Sequence, residues 1–328
     1  MDLDRERWTA LSDAGAEALA ARIADRLGAA SVRVRPHEYA GRRNRIAVFD
    51  LGGEPFALVP GGRARVGYDA VRFVPTADQV DSYRESVEEY GIPLSIHEYV
   101  DAYTSPARTV EVPALLVSVE AVQAGLTEVA PDDPAVARRV EQLRSTAGAT
   151  GGDMPRQVTW HGFGRALLGP DGTVHAAWRF GRPTHGGEVA RLAAIGQRLL
   201  TPDEWEYACG AGAASLFRWG DACPAGPDPY SAASGPHREP NLFGLLIGQD
   251  PYRDERTADP AVVCGGDGGG MVCGGAGEFV SWLTVATAYR DPDHAEFIQR
   301  EGEHLDQMLI RPAIPVPDTR FRPDPTLA

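Results

Sequence analysis

Leu19, Ile23 and Leu27 fall on one stripe of a helical pattern over residues 12–27, with Ser12 placed to cap it and Gly28 to end it. The period then changes from helical to alternating. Two runs, 31–35 and 45–49, read as strands divided by Pro36 and the basic turn Gly41-Arg42-Arg43-Asn44. A second helical pattern follows Thr76, with Gln79 as capping-box partner, Val80, Tyr83, Val87 and Tyr90 as its apolar stripe, and Gly91 as terminator. A third has Asp133 as cap and Val136, Val140 and Leu143 inward, and ends at a link over 148–153. Gly169-Pro170-Asp171-Gly172 between two apolar runs predicts a hairpin, and a helix is expected over 188–197. Thr201-Pro202-Asp203-Glu204 is a further helix start: a hydroxyl cap, a proline where its missing N–H costs nothing, and a glutamate reaching back.

The first helix and the two strands after it predict a small α/β lead-in. The 328 residues carry a formal charge of −14, and all 32 basic residues are arginine. So acidic a chain is a poor partner for nucleic acid or an anionic membrane. The absence of lysine excludes Schiff-base chemistry and a Walker A phosphate loop, and fits the codon bias of a GC-rich genome. The start lacks an apolar leader core and no run reaches membrane-spanning length, so a cytoplasmic protein is expected. Four cysteines, Cys209, Cys223, Cys264 and Cys273, match no common zinc spacing. His294 and His304, with Glu301, share a helix face after Asp293, but the imidazoles would stand about 15 Å apart, too far for one ion.

The wording of one stretch goes further. Arg198-Leu199-Leu200-Thr201-Pro202-Asp203-Glu204-Trp205-Glu206-Tyr207-Ala208, followed by Trp219-Gly220-Asp221, resembles the formylglycine-generating enzyme (sulfatase-modifying factor) family. So do Val59-Pro60-Gly61-Gly62, the 108–116 run, Val158-Thr159-Trp160, Pro240-Asn241-Leu242-Phe243-Gly244-Leu245 and, more weakly, Leu309-Ile310-Arg311-Pro312. The resemblance implies an α+β fold rich in irregular loops, a variant of the C-type-lectin fold. It divides the chain into a lead-in, 1–52, and a family domain, 53–328, interrupted by a helical insertion over about 69–105. That insertion is expected to pack on its own domain; the alternative places the loop before it near a ligand groove.

The family's reaction oxidises a substrate cysteine with O₂ and a copper ion held by two thiolates. Aligning Gly274-Gly275-Ala276-Gly277 and Ala288-Tyr289-Arg290 with the family's segments puts Phe279 and Thr284 at the thiolate positions, which argues against copper. The calcium-associated loop is replaced by residues 246–255, which leaves calcium without its usual ligands. The resemblance therefore implies a binding or accessory module for a small molecule, protein or peptide. Trp219, Arg218, Tyr252, Arg253, Trp282 and Arg290 are its candidate ligand-binding residues. The alternative is an oxidoreductase using a displaced thiol or metal site at Cys264 and Cys273, which bracket a glycine-rich run.

Overall fold

The computed structural model describes residues 3–150, 154–160, 162–181, 183–226, 228–271, 275–293, 296, 300 and 308–316. Two compact units emerge, one from the described residues of Met1–Val122, Val189–Gly302 and Leu309–Ala328, the other from those of Gln123–Glu188 and Glu303–Met308. Both mix helices with antiparallel strands, so the fold class is α+β.

The first unit is centred on a six-stranded antiparallel sheet with strand order Ser31–Tyr39, Arg42–Leu51, Glu54–Val59, Leu115–Ser118, Pro312–Pro315, Arg198–Leu199. The period of two assigns its faces. Phe56 and Leu58 meet Leu19 and Ile23 of the helix Asp13–Leu27, whose Ser12 and Gly28 caps form as the sequence predicts. Ala57, Val59, Leu115 and Val117 meet Trp205, Tyr207 and Phe243 on the opposite face. The 52/53 boundary read from the sequence thus falls at a turn inside one continuous sheet.

Pro36 does not break the first strand. Ser31–Tyr39 runs through it at the sheet edge, where a missing N–H leaves no ladder bond unmade. The turn is the two-residue Ala40-Gly41, both at positive φ, and Arg42, Arg43 and Asn44 already belong to the next strand.

The insertion packs on its own unit. The helix Ala77–Tyr90 has the predicted capping box and Gly91 terminator, and Tyr83 lies against Tyr99 and Phe279 in a second aromatic core. Its buried face differs from the apolar stripe, however: Gln79, Tyr83 and Ser86 are buried, while Val80 and Tyr90 are 40% and 48% exposed. Polar anchoring sets this rotation, because Gln79 donates to Asp221 O at 2.8 Å and Ser86 to Ala276 O at 2.7 Å.

The second unit is a four-stranded antiparallel sheet, ordered Leu126–Val129, Val174–Phe180, Gly164–Leu168, Gln157–Trp160, with the helix Pro134–Thr150 on one face. Val136 and Val140 bury against Ala166, Leu168 and Ala177, and the hairpin predicted at Gly169 to Gly172 joins its middle strands. The helix expected over 188–197 spans His185–Ala194. No helix among the described residues is long and apolar enough to cross a membrane.

Candidate functional site

The helix Pro202–Gly210 organises the first unit's polar interior. Thr201 and Glu204 complete the reciprocal capping box, and Arg198 grips Glu204 with contacts of 2.6 and 2.7 Å. Two residues on, the Glu206 carboxylate is fully buried. It accepts from Gly67 N and Ser105 Oγ, both at 2.7 Å, from Arg108 Nη2 at 3.1 Å and from Arg290 Nη2. Three sequence-distant segments, around Gly67, Ser105 to Arg108 and Arg290, therefore converge on one carboxylate. A buried charge is tolerable only when so compensated.

Beside this network runs a cleft of about 490 Å³, lined by the continuous stretch from Gly61 to Arg65 and by Gly67. Asp4, Arg5, Glu6, Asp69, Arg72, Glu111, Tyr207 and residues 212–214 complete its lining. The backbone can approach this closely because of glycine at one critical position. A Cβ on Gly67 would lie 2.1 Å from Pro106 O, and its φ is +79°. Arg5 Nη1 and Arg42 Nη1 both donate to Ala211 O, at 3.3 and 3.1 Å, placing cations where the carbonyls of the preceding helix point. Burial, and then the neighbouring Arg5 charge, lower the Arg42 pKa.

Arg63 and Arg65 stand on the exposed face of the strand Gly62–Val66. Arg65 lies 3.9 Å from Asp69, whereas Arg63 and Arg72 have no carboxylate within ion-pair distance among the described residues. Asp4 is committed to capping the helix Arg5–Ala10. The cleft thus offers Arg5, Arg63 and Arg72 as donors, with Glu6 and Glu111 as acceptors at its rim.

The residues singled out from the sequence do not form one groove. Trp282 is fully buried and donates to Gly226 O, and Arg218 is 1% exposed, donating to His237 O and Ile247 O beneath the Trp219 ring. Trp219 stacks on Phe217 between the two cores, so these side chains serve packing. Tyr252 meets Tyr230 edge-on at the surface, and Arg253 joins Arg311 and Glu255 around a separate small cleft of about 130 Å³. Arg290 reaches inward, with Nη1 3.1 Å from Cys264 Sγ. Cys264 itself has no exposed surface, and burial pushes its thiol up to about 12 despite the guanidinium. Cys273, His294, Glu301 and His304 lie outside the described residues.

Phe279 and Thr284, at the positions the resemblance assigns to copper thiolates, are core residues, with Thr284 Oγ1 donating to Ser281 O. Neither supplies a sulfur donor, so the residues present do not fit copper. In the stretch that replaces the calcium-associated loop, Glu255 is taken by Arg311 and the Trp205 indole. Arg253 and Arg311 line the same small cleft, an arrangement that does not suit a cation. Among the described residues no group of three acidic, histidine or cysteine side chains is placed to hold a metal. No family model matches the chain, and no curated protein matches it either.

Sequence reasoning passed over Arg5, Arg63, Arg65, Arg72 and Glu111. Alternating arginines in Gly62-Arg63-Ala64-Arg65-Val66 were the available signal, since a strand presents them on one face.

Proposed function

We propose that the chain is a divergent, cytoplasmic member of the formylglycine-generating-enzyme-like proteins, with a variant of the C-type-lectin fold, and that it works as a binding or accessory module. Several motif residues have structural roles that support the kinship. Thr201 and Glu204 form the helix cap, and Asn241 is fully buried, donating to Ala208 O and Cys209 O. Arg311 pairs internally with Glu255. The family's oxidation is not proposed, because its two thiolate positions hold Phe279 and Thr284.

One observation carries the binding reading: a cleft of ligand size whose arginines at positions 63 and 72 are left without an ion pair among the described residues. A planar guanidinium offers a forked pair of donors, so the favoured ligand bears carboxylates. Glu6 and Glu111 accept from donors elsewhere on it, and they disfavour a bare polyanion. The alternative oxidoreductase would require Cys264 to react from a position without solvent exposure and with its thiol held protonated.

Isothermal titration with glutarate and with glutamate-rich peptides tests this reading. Saturable one-site binding by at least one of them, weakened by salt and reduced about tenfold in Arg63→Ala/Arg72→Ala, is expected. Absence of saturable binding by either class would overturn it.

A further inference from the structure

The strand Gly62–Val66 belongs to a sheet of two strands among the described residues. It pairs antiparallel with Arg108–Val112 from Gly62↔Val112 to Val66↔Arg108. One of its edges is therefore occupied. Alternate backbone N–H and C=O groups of a paired strand point away from the partner, and an open edge is a template for another strand.

The cleft runs along that open edge. It is lined both by Arg63 and Arg65, on the exposed face, and by Gly62 and Ala64, which alternate with them and face the opposite way. Asp4 and Arg5, which sit on the unpaired side of Gly61, line it as well, so it borders the open edge. Through Glu111, opposite Arg63 on the neighbouring strand, it also reaches over the exposed face. Apart from the ladder with Arg108–Val112, no hydrogen bond among the described residues reaches the backbone of residues 62–66.

The chain already pairs with this region just before the cleft. Leu3 to Arg5 forms a parallel bridge on Gly61, with Gly61 N donating to Leu3 O at 2.8 Å and Arg5 N to Gly61 O at 3.0 Å. The helix Arg5–Ala10 then carries the chain away and leaves the next five residues uncovered. A five-residue strand offers about 17 Å of edge.

We infer that the open edge of Gly62–Val66 takes an extended peptide segment as a third strand, with acidic side chains at alternate positions set against Arg63 and Arg65. The inference rests on reading the cleft as the ligand site and adds the class of ligand. Main-chain bonds to the edge supply affinity that is indifferent to sequence, and the alternating arginines supply selectivity. Arg72 and Arg5 line the same cleft. Glu6 and Glu111 favour a mixed polar segment over a phosphate backbone.

The test is selection from a random displayed peptide library against the full chain and against Arg63→Glu/Arg65→Glu, whose altered side chains are exposed. Wild type should enrich sequences with aspartate or glutamate at alternate positions, and the variant should not. A synthetic peptide of the enriched sequence is then N-methylated one residue at a time. Affinity should fall about tenfold at every second position and stay nearly unchanged between, because only alternate amides face the edge. Enrichment that the variant retains, or affinity without the two-residue alternation, overturns strand addition. If glutarate binds at one site while no peptide is enriched, strand addition fails and the cleft remains a ligand site. If neither binds, both readings fail.

Discussion

Arg311 and Glu255 form a two-point ion pair inside the first unit, Nη2 to Oε1 at 2.6 Å and Nε to Oε2 at 2.8 Å, with neither side chain more than 2% exposed. Glu255 also accepts from the Trp205 indole at 2.7 Å. Removing one partner strands the other charge away from water, which costs about 3–5 kcal/mol. Glu255→Ala should lose that much in urea unfolding. Glu38→Ala, which breaks the exposed pair with Arg43, should lose under about 1 kcal/mol. Equal losses would contradict the burial argument.

Thr201→Ala and Thr76→Ala should cost alike, about 0.5–2 kcal/mol each. Both hydroxyls sit in complete capping boxes, and the Thr76 helix is anchored in an aromatic core through Tyr83. Slow hydrogen exchange over residues 80–90 of the protein alone should accompany this. A melting shift for Thr76→Ala much smaller than for Thr201→Ala would mean that the helix is peripheral after all.

Much of this was legible in the sequence because it is local. Ser12, Gly28, Thr76, Gly91, Thr201 and Glu204 act within one helical turn of where they stand, and each forms the cap its residue type predicts. The helix rotation at Val80 and Tyr90 was not legible, because it depends on Asp221 and Ala276, well over a hundred residues away. The cleft was hidden for the same reason: Arg5, Arg63, Arg72 and residues 212–214 share no local pattern. Trp282 and Arg218 were misplaced as groove residues because aromatic and cationic side chains look alike in sequence whether they bind ligands or fill cores.

Cys264 should resist alkylation. With its thiol pushed up to about 12 by burial, almost none is thiolate near neutral pH. Iodoacetamide followed by peptide mapping should find Cys264 unmodified in native buffer and modified in urea. Native labelling at the rate of a free thiol would revive the oxidoreductase alternative.

Asp254 should make stability depend on acid. Burial, opposed by Arg256 and reinforced by Asp267 and Asp291, raises its pKa to about 6. The folded state then holds this proton more tightly than the unfolded chain, so its contribution is full below about pH 4 and is lost as pH rises through about 6. Asp254→Asn should therefore gain stability over wild type near neutral pH, with the gap closing as pH falls toward 4. A gap independent of pH would contradict the shift.

The most direct measurement is hydrogen exchange of the wild-type chain with and without the peptide enriched on it. New protection should appear within residues 62–66, where the open strand edge lines the cleft, and at the rim near Arg72. Binding that leaves residues 62–66 unchanged and protects the Tyr230–Tyr252 surface or the segment around Cys264 instead would contradict the assignment of the site.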